Sequence, residues 1–293
     1  MLKKYYIGND FLKIGIKQSG AELCEIQGLS DKKDYLWDAN AEVWASHAPV
    51  LFPVIGALKE GSFIFEGKKY TLPRHGFVRN NNDIRLYEKT NDCITFILSS
   101  SPQTKSVYPF DFEFFIGYRL IGNTIIVGHE IKNTGNGDMF FSLGGHPGFR
   151  CPLEKNEKYT DYYLEFEKNE HAFTYKIEAG GLIGEQSGLV LNNTNVIDLH
   201  YNLFNNGALV FKRLKSTRVS LVSKVSGKKA EVGFAGFPYL GIWAVPNADF
   251  VCIEPWIGIA DNVHTDGNLI NKEGIVKLAA NECFSKDYSI TVH

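Results

Sequence analysis

The sequence predicts an all-β protein, a large antiparallel β-sandwich formed as one domain over residues 1–293. Three observations carry that expectation. Apolar residues recur with period two or in short runs along the whole chain, the spacing that places alternate side chains on one face of a strand. The runs are punctuated by Gly, Asn, Asp and Pro rather than by helix-capping residues. No stretch of twelve or more residues has i, i+3, i+4 apolar spacing, although 270–280 has room for a short helix or turn. Two facing sheets bury one side of each strand and are the simplest architecture for this pattern, and a barrel also satisfies it.

The elements follow in order. Ser62 to Tyr70 reads as a hairpin, with Phe63, Phe65 and Tyr70 alternating around Glu66-Gly67-Lys68. Phe112 to Ile131 gives a second, turning at Gly122-Asn123. Met139 to Leu143 is a strand that runs into Gly144-Gly145. In a third hairpin, Val219 to Phe234, Ser226-Gly227 separates the two alternating runs, and Tyr288, Ile290 and Val292 alternate again at the end. No linker rich in Pro, Gly and Ser divides the chain, and no repeat is visible at the periods of propellers or solenoids.

Composition narrows the function classes. With 44% hydrophobic and 22% charged residues, the chain has the apolar material for a sizeable core, which excludes disorder as the main state. A net charge of -2, with no basic run longer than Lys32-Lys33 or Lys228-Lys229, gives no field for nucleic acid or an anionic membrane. The opening residues lack the apolar core of a signal peptide and no stretch is apolar enough to span a bilayer, so a cytoplasmic protein is expected. Cys24, Cys93, Cys151, Cys252 and Cys283 are odd in number and widely spaced, which argues against a disulfide framework or structural zinc. The sequence leaves the oligomeric state open.

Three segments put ionisable groups where core packing would not choose them. Pro73-Arg74-His75-Gly76-Phe77-Val78-Arg79 places two cations and an imidazole on a loop after the first hairpin, where an exposed basic loop is the plainer reading. Gly144-Gly145-His146-Pro147-Gly148-Phe149 presents one imidazole from a bend, with the glycines read as conformationally permissive and Pro147 as a stiffener. A turn whose histidine only fills a gap fits as well. Asp249 to Gly258 reads as an apolar strand interrupted by Glu254 and ended by Pro255. A carboxylate there must reach solvent, pair with a cation, or sit in a partly dry cleft with its pKa raised towards that of a working base. No compact metal-ligand spacing, Walker loop, G-x-S-x-G elbow or dinucleotide fingerprint is present, so no metal or nucleotide cofactor is indicated. His47, His129, His171, His200, His264 and His293 carry no motif and are read as structural.

Taken together and in this order, these segments, with Ala48-Pro49-Val50-Leu51-Phe52-Pro53 before them, resemble the aldose 1-epimerase (galactose mutarotase-like) family, most closely its LacX-like bacterial branch. The likeness covers nearly the whole chain. It implies a β-supersandwich whose cleft holds an aldohexose such as galactose or glucose, free or as its 6-phosphate. It also implies a cofactor-free interconversion of the α and β anomers. By resemblance, Glu254 is the base, His146 the acid, and His75 a second histidine that stabilises charge near the ring oxygen. Trp256, Phe149 and Trp243 become candidate walls for the sugar, with a core role equally open for Trp243. Two positions depart from the family pattern. Ala57 stands where a substrate-binding arginine is common, which makes Arg74 and Arg79 the candidate replacements. The segment Asn206-Gly207-Ala208 lacks an expected aspartate, leaving Asn206 as the candidate hydrogen-bonding group. A sugar-binding protein that kept the fold and lost turnover is the rival from another class.

Overall fold

The structure, a computed structural model, describes residues 3–293. Its largest sheet has nine strands in the order Leu182–Asp198, Tyr162–Glu178, Arg218–Ser223, Gly227–Gly233, Cys283–Val292, Thr124–Asn133, Phe112–Ile121, Cys93–Ser99 and Arg85–Lys89. A smaller sheet runs Leu209–Lys212, Tyr239–Trp243, Phe250–Ile257, Leu143–Gly145 and Val50–Leu51, with Gly148–Arg150 also paired to Phe250–Ile257. A three-stranded sheet (Lys4–Gly8, Leu12–Lys17, Leu23–Gly28) and two short ribbons complete the β-structure. Among the described residues the one α-helix is Pro102–Val107, started by a Ser101–Thr104 capping box.

Period-two alternation explains the central strands of the large sheet. Phe112, Phe114, Ile116 and Tyr118 are buried from one strand and Ile125, Val127 and Ile131 from its partner, in a register that pairs Ile121 with Thr124 across the Gly122-Asn123 turn. Each such side chain contributes about 1.5–3 kcal/mol of burial. The buried faces of the two main sheets meet directly: Phe114 lies 4.7 Å from Phe52 and Phe166 lies 6.1 Å from Phe211, ring centre to ring centre. The expected hairpins at 62–70 and 219–234 are also present.

Several expectations need correction. Residues 139–143 do not form one strand: Met139–Phe141 pairs with Val276–Leu278, while Leu143–Gly145 enters the smaller sheet. By contrast, the short helix that 270–280 had room for is present as the single turn Leu269–Asn271, followed by the strand Val276–Leu278. Pro255 does not end its strand, which runs on to Ile257 with Pro255 opposite Leu240. Gly144 and Gly145 are not in the left-handed region. Space is what they supply: a Cβ on Gly144 would stand 2.7 Å from the Trp256 ring, and one on Gly145 2.4 Å from the Tyr288 hydroxyl.

Alternation in the smaller sheet also fixes where a site can lie. Val50, Phe211, Ile242 and Ile253 join the main core, whereas Leu51, Val210 and Trp256 belong to a separate apolar cluster with Ile55, Ile183, Ile259 and Ala260. Glu254 shares the Trp256 side of its strand and therefore faces away from the large sheet. That outer face is roofed by the tip of the long hairpin Tyr162–Glu178/Leu182–Asp198, which brings Ile177 and Ile183 over it.

Candidate active site

The roofed space is a cavity of about 250 Å³ lined by Trp44, Arg74, His75, Arg79, His146, Trp243, Glu254 and Trp256, together with aliphatic and glycine positions. Six of the eight candidates expected to hold the catalytic and binding roles therefore line one cavity: Glu254, Trp256, His146, His75, Arg74 and Arg79 converge on it from three distant segments.

Glu254 is 1% exposed and lies opposite Gly241. A side chain at 241 would collide with the Trp256 ring at 2.4 Å, so that glycine leaves room for the indole beside the carboxyl. His146 Nε2 lies 3.1 Å from Glu254 Oε2. The peptide N–H of His146 donates to Pro49 O at 3.1 Å, and that of Gly148 to His47 O at 2.8 Å, which pins the bend on both sides of the imidazole. Trp44 stacks on the His146 ring at 5.1 Å and Trp243 meets it edge-on at 5.8 Å. His146 Nδ1 and Glu254 Oε2 are buried and lack aligned hydrogen-bond partners within the protein, as expected of groups that await a polar ligand.

His75 is clasped by Gly56. Its N–H donates to Gly56 O at 2.9 Å, and its Nδ1 accepts from Gly56 N at 3.1 Å, which leaves the ring proton on Nε2 and makes His75 a neutral donor. Its φ of 66° is unusual for a non-glycine residue, and Gly76 follows at 73° because a Cβ there would press on Phe52 O at 2.1 Å. The tight bend turns the imidazole inward, with its ring 5.6 Å from that of His146.

Burial dominates the electrostatics. It raises the Glu254 pKa well above the usual carboxylate value, opposed by the Trp256 indole and the Arg79 charge. It lowers His146 to about 3, assisted by Arg79, and holds His75 well below 6.5, assisted by the charges at positions 146, 79 and 74. Burial thus disfavours charge on both partners, the carboxyl and the imidazole that face each other across 3.1 Å.

The cations differ in setting. Arg79 is half-buried, donates to Ser46 Oγ at 3.2 Å and has an unpartnered Nε. Arg74 is exposed and donates to Gly180 O at 3.0 Å, fastening the hairpin tip across the cavity mouth. Ala57 is buried and accepts from Asp261 N, while the neighbouring Gly56 supplies the wall.

Two candidates lie elsewhere. Phe149 pairs with Val251, whose side chain points to the main core, and Phe149 is enclosed there at 1% exposure. Asn206 is exposed on a turn closed by Gly207 N to Phe204 O, and Gly207, Ala208 and Val210 beyond it reach the cavity in its place. Trp243, left open between core and site, is on the cavity wall. Trp44, Ile177 and Ile183 are lining residues that sequence reasoning missed.

His146, Cys252 and Glu254 also bring potential metal-ligand atoms within 4.8 Å of one another. The arrangement fits a metal poorly. Cys252 is not among the cavity residues, burial keeps its thiol protonated, and His146 Nδ1 lacks the second partner that orients a ligating imidazole.

Comparison with known proteins places this geometry in context. Residues 3–273 match the sequence profile of the family described as aldose 1-epimerase. The plasmid-encoded protein LacX of Lactococcus lactis subsp. lactis is 33% identical over 293 residues, covering 97% of each chain. The structure of a galactose mutarotase related enzyme from Lactobacillus acidophilus superposes with a TM-score of 0.94 at 34% identity, over 99% of this chain and 97% of that one. A galactose mutarotase-like protein from Lactobacillus casei gives 0.91 at 26% identity, over 99% and 100%.

Proposed function

The chain belongs to the aldose 1-epimerase family, and we propose that it interconverts the α and β anomers of an aldohexose by acid/base opening and closing of the ring, with Glu254 and His146 as the proton-transfer pair. The observation that carries this reading is the 3.1 Å approach of the two side chains inside a monosaccharide-sized cavity. Ring opening removes a proton from the anomeric hydroxyl and delivers one to the ring oxygen. Those oxygens share one carbon, so an acid and a base a few ångströms apart can serve both.

To serve as base and acid the pair must hold one proton, and burial favours its resting on the carboxyl. Ring opening with Glu254 as base and His146 as acid begins when that proton passes from Oε2 to Nε2, a step favoured as the sugar hydroxyl and Arg79 stabilise the carboxylate. Glu254 then takes the hydroxyl proton, His146 protonates the ring oxygen, and the aldehyde forms. Rotation about C1–C2 followed by closure with the roles exchanged gives the other anomer. The His75 Nε2–H donates to charge developing on the ring oxygen, and Trp44, Trp243 and Trp256 exclude water. The reaction redistributes protons without a change of oxidation state, so it calls for no redox group.

A second reading concerns the substituents of the sugar. Apart from Glu254, no cavity side chain is a carboxylate or amide that would accept from sugar hydroxyls, while Arg74 and Arg79 both donate into the same space. Two cations lining a space with no other carboxylate or amide acceptor favour an aldose bearing an anionic group, such as a hexose 6-phosphate, over a neutral one. Polarimetry or saturation-transfer NMR with galactose, glucose and their 6-phosphates tests both readings. Catalysed exchange of any of these supports the epimerase, and the preferred sugar decides the substituent. Binding without a rate gain over buffer assigns the chain to the non-catalytic class instead.

A further inference from the structure

We infer that Glu22, outside the cavity, is a positioning residue for the proposed reaction: its carboxylate fixes the 44–49 strap that holds His146 in place. The inference rests on the epimerase reading for its kinetic consequence, whereas the structural coupling stands independently of it.

The chain of contacts is continuous. Glu22 follows the one-turn helix Ser19–Ala21 and is 6% exposed. Its Oε1 accepts from the backbone N–H of His47 at 2.7 Å and of Ala48 at 3.2 Å, and its Oε2 accepts from Lys17 Nζ at 3.2 Å. Lys17 Nζ also donates to His47 Nδ1 at 3.0 Å, a contact that requires a neutral imidazole. His47 is held neutral by burial and the Lys17 charge, which lower its pKa to about 4. The strap so anchored performs three tasks at the site. His47 O and Pro49 O receive the N–H groups of Gly148 and His146, Ser46 Oγ receives Arg79, and Trp44 stacks on the His146 ring. The Glu22 charge also opposes the loss of charge on Arg79, whose field in turn acts on His146 and Glu254.

Removing the carboxylate leaves two buried N–H groups without their acceptor and the Lys17 ammonium with His47 Nδ1 alone, and the strap is the part free to move. A strap that moves carries Trp44 and the two carbonyls with it, so the predicted loss is in orientation of the acid rather than in sugar affinity. Glu22→Gln keeps one oxygen that can accept both N–H groups and should restore most of what Glu22→Ala loses.

The test compares wild type, Glu22→Ala and Glu22→Gln, with the folded fraction of each measured by circular dichroism. Anomer-exchange kinetics and the ring-proton NMR resonances of His146, assigned by His146→Asn, are the readouts. The expected result is a kcat about tenfold lower in Glu22→Ala with KM changed less than twofold. The His146 resonances should move as the Trp44 ring current is lost, and both effects should be largely reversed in Glu22→Gln. Glu22→Ala with wild-type kcat and unmoved His146 resonances overturns the inference, as does a kcat loss fully accounted for by unfolded protein. A wild type inert on every sugar would remove the epimerase reading, and the His146 resonances of the free protein would still decide the coupling.

Discussion

His146 Nε2 and Glu254 Oε2 stand 3.1 Å apart with both side chains almost wholly enclosed, and burial drives the two groups in opposite directions, the carboxyl up and the imidazole down to about 3. Both shifts widen the range of pH over which the pair holds a single proton.

The first consequence is kinetic. Anomer exchange should show an acid limb near pH 3 and an alkaline limb, set by the last proton of the pair, displaced above the ordinary carboxylate range. A pH–rate profile in buffers that do not themselves catalyse mutarotation checks this. An acid limb at the ordinary histidine value of about 6.5 would mean that the pair is not desolvated as described.

The second is in stability. His47, His129 and His146 all have folded pKa values lowered to between about 3 and 4 by burial. Below pH 6.5 the unfolded chain takes up protons that the native chain refuses, so these groups remove stability as pH falls towards 4, at about 1.4 kcal/mol per pH unit each. Glu254, raised, acts in the reverse sense, its stability present below 4.5 and lost as pH rises through its folded value. His129 isolates the effect, because it lies between Phe114 and Tyr288 and outside the cavity, with neither ring nitrogen partnered. His129→Phe should stabilise the protein by about 2 kcal/mol more at pH 5 than at pH 7 in urea unfolding. Equal effects at the two pH values would show that His129 is charged or solvated in the fold.

The third concerns the glycine opposite the carboxyl. Gly241→Ala puts a methyl into the Trp256 ring at 2.4 Å, and the indole lines the cavity into which it can be displaced. The expected outcome is an increase in KM of tenfold or more and a stability loss of about 1–3 kcal/mol. An unchanged KM would show that the indole yields in another direction.

Much of this arrangement was legible in the sequence, and the failures have physical causes. The hairpins at 62–70 and 112–131 show because one face of each strand is buried and the turn residues are explicit. The long hairpin that roofs the cavity is largely exposed and its register shifts repeatedly, so no alternation marks it. Phe250–Ile257 is buried on both faces, which erases the period that would have revealed which way Glu254 and Pro255 lie. Phe149 was misplaced because the direction of its side chain depends on which strand it pairs with, and Asn206 because alignment to a family pattern carries no information about a turn. Trp44 gave no signal at all, since its position is set by contacts with Phe250, His146 and the strap anchored at Glu22.

The fourth prediction sets Trp44, which the sequence did not mark, against Asn206, which it misplaced. Trp44→Ala should lower kcat/KM tenfold or more by releasing the His146 ring, whereas Asn206→Ala should leave it within twofold. Steady-state exchange rates for the two variants decide it, and the opposite ranking would return Asn206 to the site.

The most direct measurement is anomer exchange by saturation-transfer NMR on wild type and Glu254→Gln at neutral pH, with circular dichroism on both. Glutamine preserves the shape of the side chain and cannot take part in proton exchange with His146, so the rate should fall at least about a hundredfold in a folded protein. Glu254→Gln turning over within a few-fold of wild type would contradict the account.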